Sequence, residues 1–126
     1  MPGEPYRILV AEDFEDNRIA LKLMLRFAGF EALEASDGQQ AIEIARREKP
    51  DIVLMDISLP EIDGLQATRK LRADPEFSQL PIIIVSAHDS QETRDEARAA
   101  GGTDYISKPI DFDELKKLID EYLKKT

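Results

Sequence analysis

The sequence predicts an α/β fold in which a parallel sheet is covered by helices on both faces. Two short runs, Ile52–Met55 and Ile82–Val85, are continuously apolar, which is typical of strands buried on both sides. Apolar runs alternate with segments of helical periodicity along the chain, giving five strand–helix units. At 126 residues the chain is long enough to bury a substantial core. We therefore expect one domain over residues 1–126, with its core from about residue 7 to residue 123.

The first strand–helix unit begins with the apolar run Ile8–Ala11. A helix is predicted from about Asp16 to Ala28, and Gly29 follows it, as is typical beyond a helix C-terminus. Apolar residues are spaced so that they share one side of this helix, namely Ile19, Leu23 and Phe27, with Met24 beside them.

The second unit is more polar. Its strand, Glu31–Ala35, is followed by Asp37, which we expect to cap the next helix. That helix runs to about Glu48 and has one apolar side, formed by Ala41, Ile42 and Ala45. Because the second strand is polar, it is predicted to lie at an edge of the sheet.

The other three units follow the same alternation. A loop with Pro60 and Gly64 follows the third strand, and we expect Gly64 to supply a backbone conformation closed to other residues. The remaining predicted elements are a helix at about Leu65–Arg72, a helix at about Gln91–Ala100 closed by Gly101 and Gly102, a strand at Asp104–Ser107 and a helix after Pro109. The last helix has an apolar stripe of Phe112, Leu115, Ile119, Tyr122 and Leu123. The pattern does not give the order of the strands.

Polar side chains that could form a site follow four of the five predicted strands, whereas the second strand ends in Ala35 and Ser36, which offer little. In an open parallel sheet, ligands bind beyond the carboxyl ends of the strands. The residues that follow the first, third, fourth and fifth strands are Glu12 with Asp13, Asp56, Ser86 and Lys108. We therefore expect three carboxylates, one hydroxyl and one ammonium group to meet on one rim of the sheet.

Such a cluster favours a divalent metal ion. Two carboxylates about 4 Å apart repel each other by roughly 4 kcal/mol at an effective dielectric constant near 20. Carboxylates and water suit Mg²⁺, which also withdraws charge from transferring phosphoryl oxygens. A carboxylate can act as the nucleophile and form an aspartyl-phosphate. Lys108 would then add positive charge opposite the metal, and Ser86 would donate to a phosphoryl oxygen.

These residues lie within motifs that resemble a known family. The motifs are Ile8–Asp13, Leu54–Pro60 with Asp63 and Gly64, Ser86–Ala87, and Lys108–Pro109. In this order they resemble the response-regulator receiver domains of two-component signalling, including the single-domain chemotaxis regulators, over about Arg7 to Leu123. The resemblance implies a flavodoxin-like fold of five parallel strands in the order 2-1-3-4-5 with five helices.

The resemblance also implies a function. Asp56 would accept a phosphoryl group from a histidine kinase or a histidine phosphotransfer protein. Mg²⁺ would be held by Asp13, Asp56 and the backbone carbonyl of Ser58, with Glu12 reaching it through water.

The same resemblance implies how the signal is passed on. Ser86 and Tyr105 would move together, altering the face formed by the last two helices and strand five, and the Lys108–Pro109 bond would be cis. The protein would catalyse only its own phosphotransfer and autodephosphorylation and would not be an enzyme with a separate substrate.

Several of these residues could also have a purely structural role. Glu12 and Asp13 could be acids that favour a helix N-terminus, and Ser86 could be an ordinary turn residue. Tyr105 could be packing alone, and His88, the single histidine, is expected in a surface loop.

Two other functions would require different sequence features. A Mg²⁺-dependent phosphohydrolase with an aspartyl-phosphate intermediate would have an acid two residues after Asp56, where this chain has Ser58, and a longer loop as a lid. A nucleotide-binding module would have a glycine-rich phosphate loop after the first strand, which this sequence lacks.

Composition limits location and partners. The chain has no cysteine, no apolar run long enough to cross a membrane and no apolar signal segment at its N-terminus, so a cytoplasmic location is expected. Its net charge of −9 disfavours direct nucleic-acid binding. The basic C-terminus at Lys125 slightly favours a stand-alone regulator, and a receiver excised from a larger protein stays open as the alternative. The cognate kinase, the output target, the phosphorylated-state lifetime and the oligomeric state do not follow from the sequence.

Overall fold

Five parallel strands form the sheet of this computed structural model, which describes residues 5–123. The strands are β1 (Arg7–Ala11), β2 (Glu31–Ala35), β3 (Ile52–Asp56), β4 (Ile82–Ser86) and β5 (Asp104–Ser107). Their order is β2-β1-β3-β4-β5, and every neighbouring pair is parallel. Both the strand order and the edge position of β2 are confirmed.

Five α-helices alternate with the strands. They are α1 (Glu15–Phe27), α2 (Gly38–Glu48), α3 (Gly64–Arg72), α4 (Gln91–Ala100) and α5 (Phe112–Leu123). The predicted bounds of α1 and α3 differ from the observed bounds by at most one residue at each end, and the predicted bounds of α4 equal the observed ones. A short 3₁₀ turn at Pro75–Phe77 was not predicted. The expectations drawn from the chain ends depend largely on residues 1–4 and 124–126, which lie outside the described residues.

Side chains cap the N-termini of several helices. The Asp37 carboxylate accepts from the backbone N–H of Gln40 at 2.7 Å, as predicted for an N-cap. Asp63 and Gln66 form a reciprocal capping box at the start of α3. The cap orients the first turn of α3 immediately after the loop that follows Asp56.

Two hydrophobic cores form, one on each face of the sheet. One contains α2, α3 and α4, with buried residues that include Ala41, Ile42, Ala45, Ala67, Leu71 and Ala97. The other contains α1 and α5, with buried residues that include Leu21, Leu25, Leu115, Ile119 and Leu123. Every residue of β3 and β4 is buried, in agreement with their continuous apolar sequence.

Helix α1 buries a different side from the one that its apolar spacing suggested. Leu21 and Leu25 face the sheet, whereas Ile19, Leu23 and Phe27 are exposed, Phe27 by 96%. The spacing therefore identified the helix but not its buried face. Among the described helices, none combines the length and apolar character needed to cross a bilayer.

Candidate functional site

The order of the strands places the candidate site at the carboxyl edge of β1 and β3. From β1 the chain passes to β2 on one side of the sheet, and β3 then pairs with β1 on the other side. Ligands of open parallel sheets bind at such a point of reversal. Glu12 follows β1 and Asp56 ends β3, so both carboxylates lie at this point.

Asp56 is almost completely buried, with 3% of its surface exposed. One carboxylate oxygen accepts from the backbone N–H of Ser58 at 2.9 Å, and the other accepts from the Lys108 ammonium at 2.5 Å. A carboxylate removed from water in this way requires such compensation. The β3–α3 loop and the end of β5 therefore hold Asp56 from two directions.

Glu12 shares the same lysine. Its Oε1 atom accepts from Lys108 Nζ at 3.0 Å, and its Oε2 atom accepts from the backbone N–H of Phe14 at 3.0 Å. Burial raises the pKa of Glu12 above its ordinary value, although both hydrogen bonds oppose that rise. Burial lowers the pKa of Lys108, but its hydrogen bonds to Asp56 and Glu12 outweigh this effect and leave the pKa raised.

Three carboxylates meet at this rim. Glu12, Asp13 and Asp56 each offer one oxygen, and these oxygens all lie within 4.8 Å of one another. In the part of the chain that the structure describes, the ion pairs of this cluster are those of Lys108. One ammonium against three carboxylates leaves two formal negative charges, which a divalent ion would balance. The oxygen donors and the charge thus fit a hard cation such as Mg²⁺.

Gly64 brings α3 against Asp56, for a reason that the sequence prediction missed. Its backbone does not lie in the left-handed region, so the expectation of a special conformation was wrong. A Cβ atom at this position would instead lie 2.0 Å from the Asp56 carbonyl oxygen. Glycine is required because the start of α3 approaches the backbone of the candidate phosphoacceptor.

Ser86 and Tyr105 are connected through the loop between β4 and α4. Ser86 is 3% exposed, and its Oγ atom accepts from the backbone N–H of His88 at 3.0 Å. The hydroxyl group of Tyr105 donates to the carbonyl oxygen of His88. His88 lies in an exposed loop, as predicted, but its backbone joins the two expected switch residues.

The end of β5 completes the rim. The backbone N–H of Lys108 donates to the Ser86 carbonyl at 2.8 Å, and the Lys108–Pro109 bond is cis, as the resemblance implied. Arg18 was not predicted as part of the site. It donates to the Glu12 carbonyl at 3.0 Å, and nothing in its sequence position distinguishes it from other helix arginines.

A family model for the response regulator receiver domain matches residues 8–120. The chain belongs to this family. PilH of Pseudomonas aeruginosa is 40% identical over 93% of this chain and 97% of PilH. The polar-differentiation response regulator DivK of Brucella anthropi is 34% identical over 94% of this chain and 97% of DivK. TcrX of Mycobacterium tuberculosis is 36% identical, but the chain spans only 52% of its length.

Solved receiver structures are also similar. The receiver domain of the sensor histidine kinase PA1611 from Pseudomonas aeruginosa, which has magnesium in its active-site cleft, gives a TM-score of 0.88 at 35% identity, over 94% of this receiver and 98% of that domain. The receiver domain of the Francisella response regulator 1452 gives a TM-score of 0.89 at 29% identity, over 95% and 98% of the two chains. This receiver is a phosphoacceptor switch of two-component signalling. The comparisons do not favour the phosphohydrolase alternative.

Proposed function

We propose that Asp56 is the phosphoacceptor of this receiver and that its phosphorylation is the switching event. The observation that carries the proposal is a carboxylate, 3% exposed, that ends a central strand and contacts Lys108. In the proposed step an Asp56 oxygen attacks phosphorus, and the bond from phosphorus to the imidazole nitrogen of a donor histidine breaks. The products are an aspartyl-phosphate and an unmodified donor histidine.

Mg²⁺ is the proposed cofactor. Asp13, Asp56 and the backbone carbonyl of Ser58 would hold it, with Glu12 reaching it through water. When bound, the ion neutralises charge on the transferring phosphoryl oxygens.

The other site residues would act directly on the phosphoryl group. Lys108 would carry its ammonium charge toward the phosphoryl oxygens, since it already donates to Asp56. Ser86 would donate its hydroxyl to a phosphoryl oxygen, and Tyr105 would move with it. In this proposal the chain catalyses only its own phosphotransfer and autodephosphorylation, so it is a switch without a separate substrate.

A protein donor is supported by the surface beside the rim. A groove of about 430 Å³ opens between α1 and the segment after β5, next to Glu12 and Lys108. Its wall includes apolar groups of Met24, Pro109 and Ile110. A histidine kinase or a histidine phosphotransfer protein that covers the rim would bury this apolar surface.

The proposed output is a change in the face formed by α4, β5 and α5. Partner binding at that face would depend on phosphorylation, with a protein as the downstream target and without direct nucleic-acid binding or membrane insertion. A cytoplasmic location and a single receiver domain over residues 1–126 stay predictions.

The test is phosphorylation of the purified receiver by a small-molecule phosphoryl donor with Mg²⁺, read by intact mass. We expect a gain of one phosphoryl group that survives acid and is lost in mild base or hydroxylamine. Asp56→Asn is the control and should show no gain. An equal gain in Asp56→Asn would refute the assignment, and release of free phosphate over many turnovers would favour the phosphohydrolase.

A further inference from the structure

Tyr105 is held from two directions by the loop after β4 and by α4. Its hydroxyl group donates to the His88 carbonyl, and the Arg94 guanidinium carbon lies 4.6 Å from the centre of its ring. A guanidinium group at this distance is attracted by the negative face of an aromatic ring. The two contacts use different parts of Tyr105, so together they define the position of its side chain.

Arg94 is itself oriented by a neighbour. Its Nε atom donates to the Asp89 carboxylate at 2.6 Å, and both side chains are partly exposed, by 39% and 50%. Asp89 lies in the loop after β4, and Arg94 lies in the first turn of α4. The carboxylate therefore limits the directions in which the planar guanidinium can point and keeps it over the ring.

The same loop leads back to the phosphorylation site. His88 donates its backbone N–H to Ser86 Oγ, and Ser86 ends the strand that pairs with β3 beside Asp56. A Ser86 hydroxyl that turns toward a phosphoryl group would alter its contact with His88. That change would displace the carbonyl that accepts from Tyr105, whereas the stacking of Arg94 on the ring would oppose the movement.

We propose that Arg94 is a positioning residue that holds Tyr105 in its unphosphorylated arrangement and so restrains activation of this receiver. The proposal rests on the proposed function of Asp56 and describes the regulation of that same site. A ligand that favours one of two arrangements binds more tightly when the other arrangement is destabilised. Loss of Arg94 should therefore increase the affinity of the site for a phosphoryl group or its mimic.

The sign of this effect distinguishes restraint from ordinary electrostatics. A phosphoryl mimic is an anion, so removal of a nearby positive charge should weaken its binding. Removal of a restraint should tighten it. A cation–π contact at an exposed site corresponds to an affinity change of about twofold to fivefold.

Arg98→Gln is a matched control for Arg94→Gln. Arg98 lies one turn further along α4, is 76% exposed and pairs with Asp95 at 3.4 Å. Arg98→Gln therefore removes the same charge from α4 but leaves in place the Arg94 guanidinium that stacks on Tyr105. The measurement is the dissociation constant of beryllofluoride in the presence of Mg²⁺, by titration of the wild-type, Arg94→Gln and Arg98→Gln receivers. Circular dichroism melting of each protein checks that it is folded.

We expect Arg94→Gln to bind beryllofluoride about twofold to fivefold more tightly and Arg98→Gln to bind it equally or more weakly than wild type. In a Tyr105→Leu background the Arg94 substitution should have no further effect, because the contact is already absent. Unchanged or weaker binding by Arg94→Gln would overturn the restraint while leaving the role of Asp56 intact. If wild type itself shows no Mg²⁺-dependent binding, both proposals fail.

Discussion

Lys108 is the residue on which the charge balance of the rim depends. Its ammonium group contacts Asp56 and Glu12, which are 3% and 4% exposed. The sequence predicts that these three residues lie at strand ends. It does not predict that they contact one another, because Lys108 is 52 residues from Asp56 and 96 residues from Glu12 along the chain. A network of this kind arises only when β1, β3 and β5 are assembled, so strand positions predict its members and not its hydrogen bonds.

Glu34 provides a test of electrostatics outside the carboxylate cluster. Its carboxylate accepts from Lys22 Nζ at 2.8 Å and from Arg18 Nε at 3.1 Å, joining α1 to β2. The hydrogen bond from Lys22 is the main reason that the pKa of Glu34 is lowered from 4.5. A carboxyl group with a lowered folded-state pKa stabilises the fold above its unfolded pKa, and this contribution disappears as pH falls through the folded value.

Glu34→Gln should therefore lower the free energy of unfolding at pH 7 by about 0.5–1 kcal/mol, as for partly exposed ion pairs. The difference from wild type should shrink as pH falls below about 4.5, where Glu34 of the unfolded chain becomes protonated. Urea unfolding of both proteins at pH 7 and at several acidic pH values measures this difference in the free energy of unfolding. Glu31→Gln, on the same strand and exposed, is the control. An equal loss at every pH would contradict the electrostatic explanation.

At the scale of elements, α1 shows what periodicity cannot predict. Helix α1 is apolar on two sides, with Leu21 and Leu25 against the sheet and Leu23 and Phe27 toward solvent. Hydrophobic spacing identifies a helix whenever one side is apolar, but it cannot select between two apolar sides. The selection is made by packing into the core cluster that α1 shares with the sheet and α5, whose members include Ile52 and Ile119, far from α1 in sequence. Helices α2 and α5 have one dominant stripe, and their buried sides were predicted correctly.

Paired substitutions in α1 test this assignment. Leu25→Ala removes a fully buried side chain and should cost about 2–5 kcal/mol of unfolding free energy. Phe27→Ser changes a side chain that is 96% exposed and should change stability by less than about 0.5 kcal/mol. Chemical denaturation of both variants measures the difference. A loss in Phe27→Ser as large as that in Leu25→Ala would place Phe27 in the folded core and contradict the described orientation of α1.

For the whole molecule, the sequence predicted the kind of sheet better than its order. Apolar runs identify β3 and β4 as buried on both faces, and the polar composition of β2 predicts an edge. The neighbours of each strand came only from the family resemblance, because the pattern of one strand carries no information about its partner. The close approach of Gly64 to Asp56 and the stacking of Arg94 on Tyr105 likewise depend on tertiary packing.

The net charge of −9 predicts how the whole molecule responds to ions. Raising sodium chloride from about 10 to 150 mM shortens the Debye length from about 30 Å to about 8 Å, which weakens repulsion among the acids. We expect a higher melting temperature for this reason alone. At matched ionic strength, Mg²⁺ at ten times its dissociation constant should add about 1.4 kcal/mol to the free energy of unfolding, because it binds the folded chain.

Asp13→Asn separates screening from binding. Since its carboxylate lies within 4.8 Å of two others, its removal should raise the melting temperature without divalent ions and reduce the additional effect of Mg²⁺. Asp16→Asn removes the same charge within α1 but outside the cluster, so it should retain the full Mg²⁺ response. Thermal scans of the three proteins, each with Mg²⁺ or with sodium chloride of equal ionic strength, measure both effects. If the two salts act alike on wild type, screening is the whole effect and the rim is not a magnesium site.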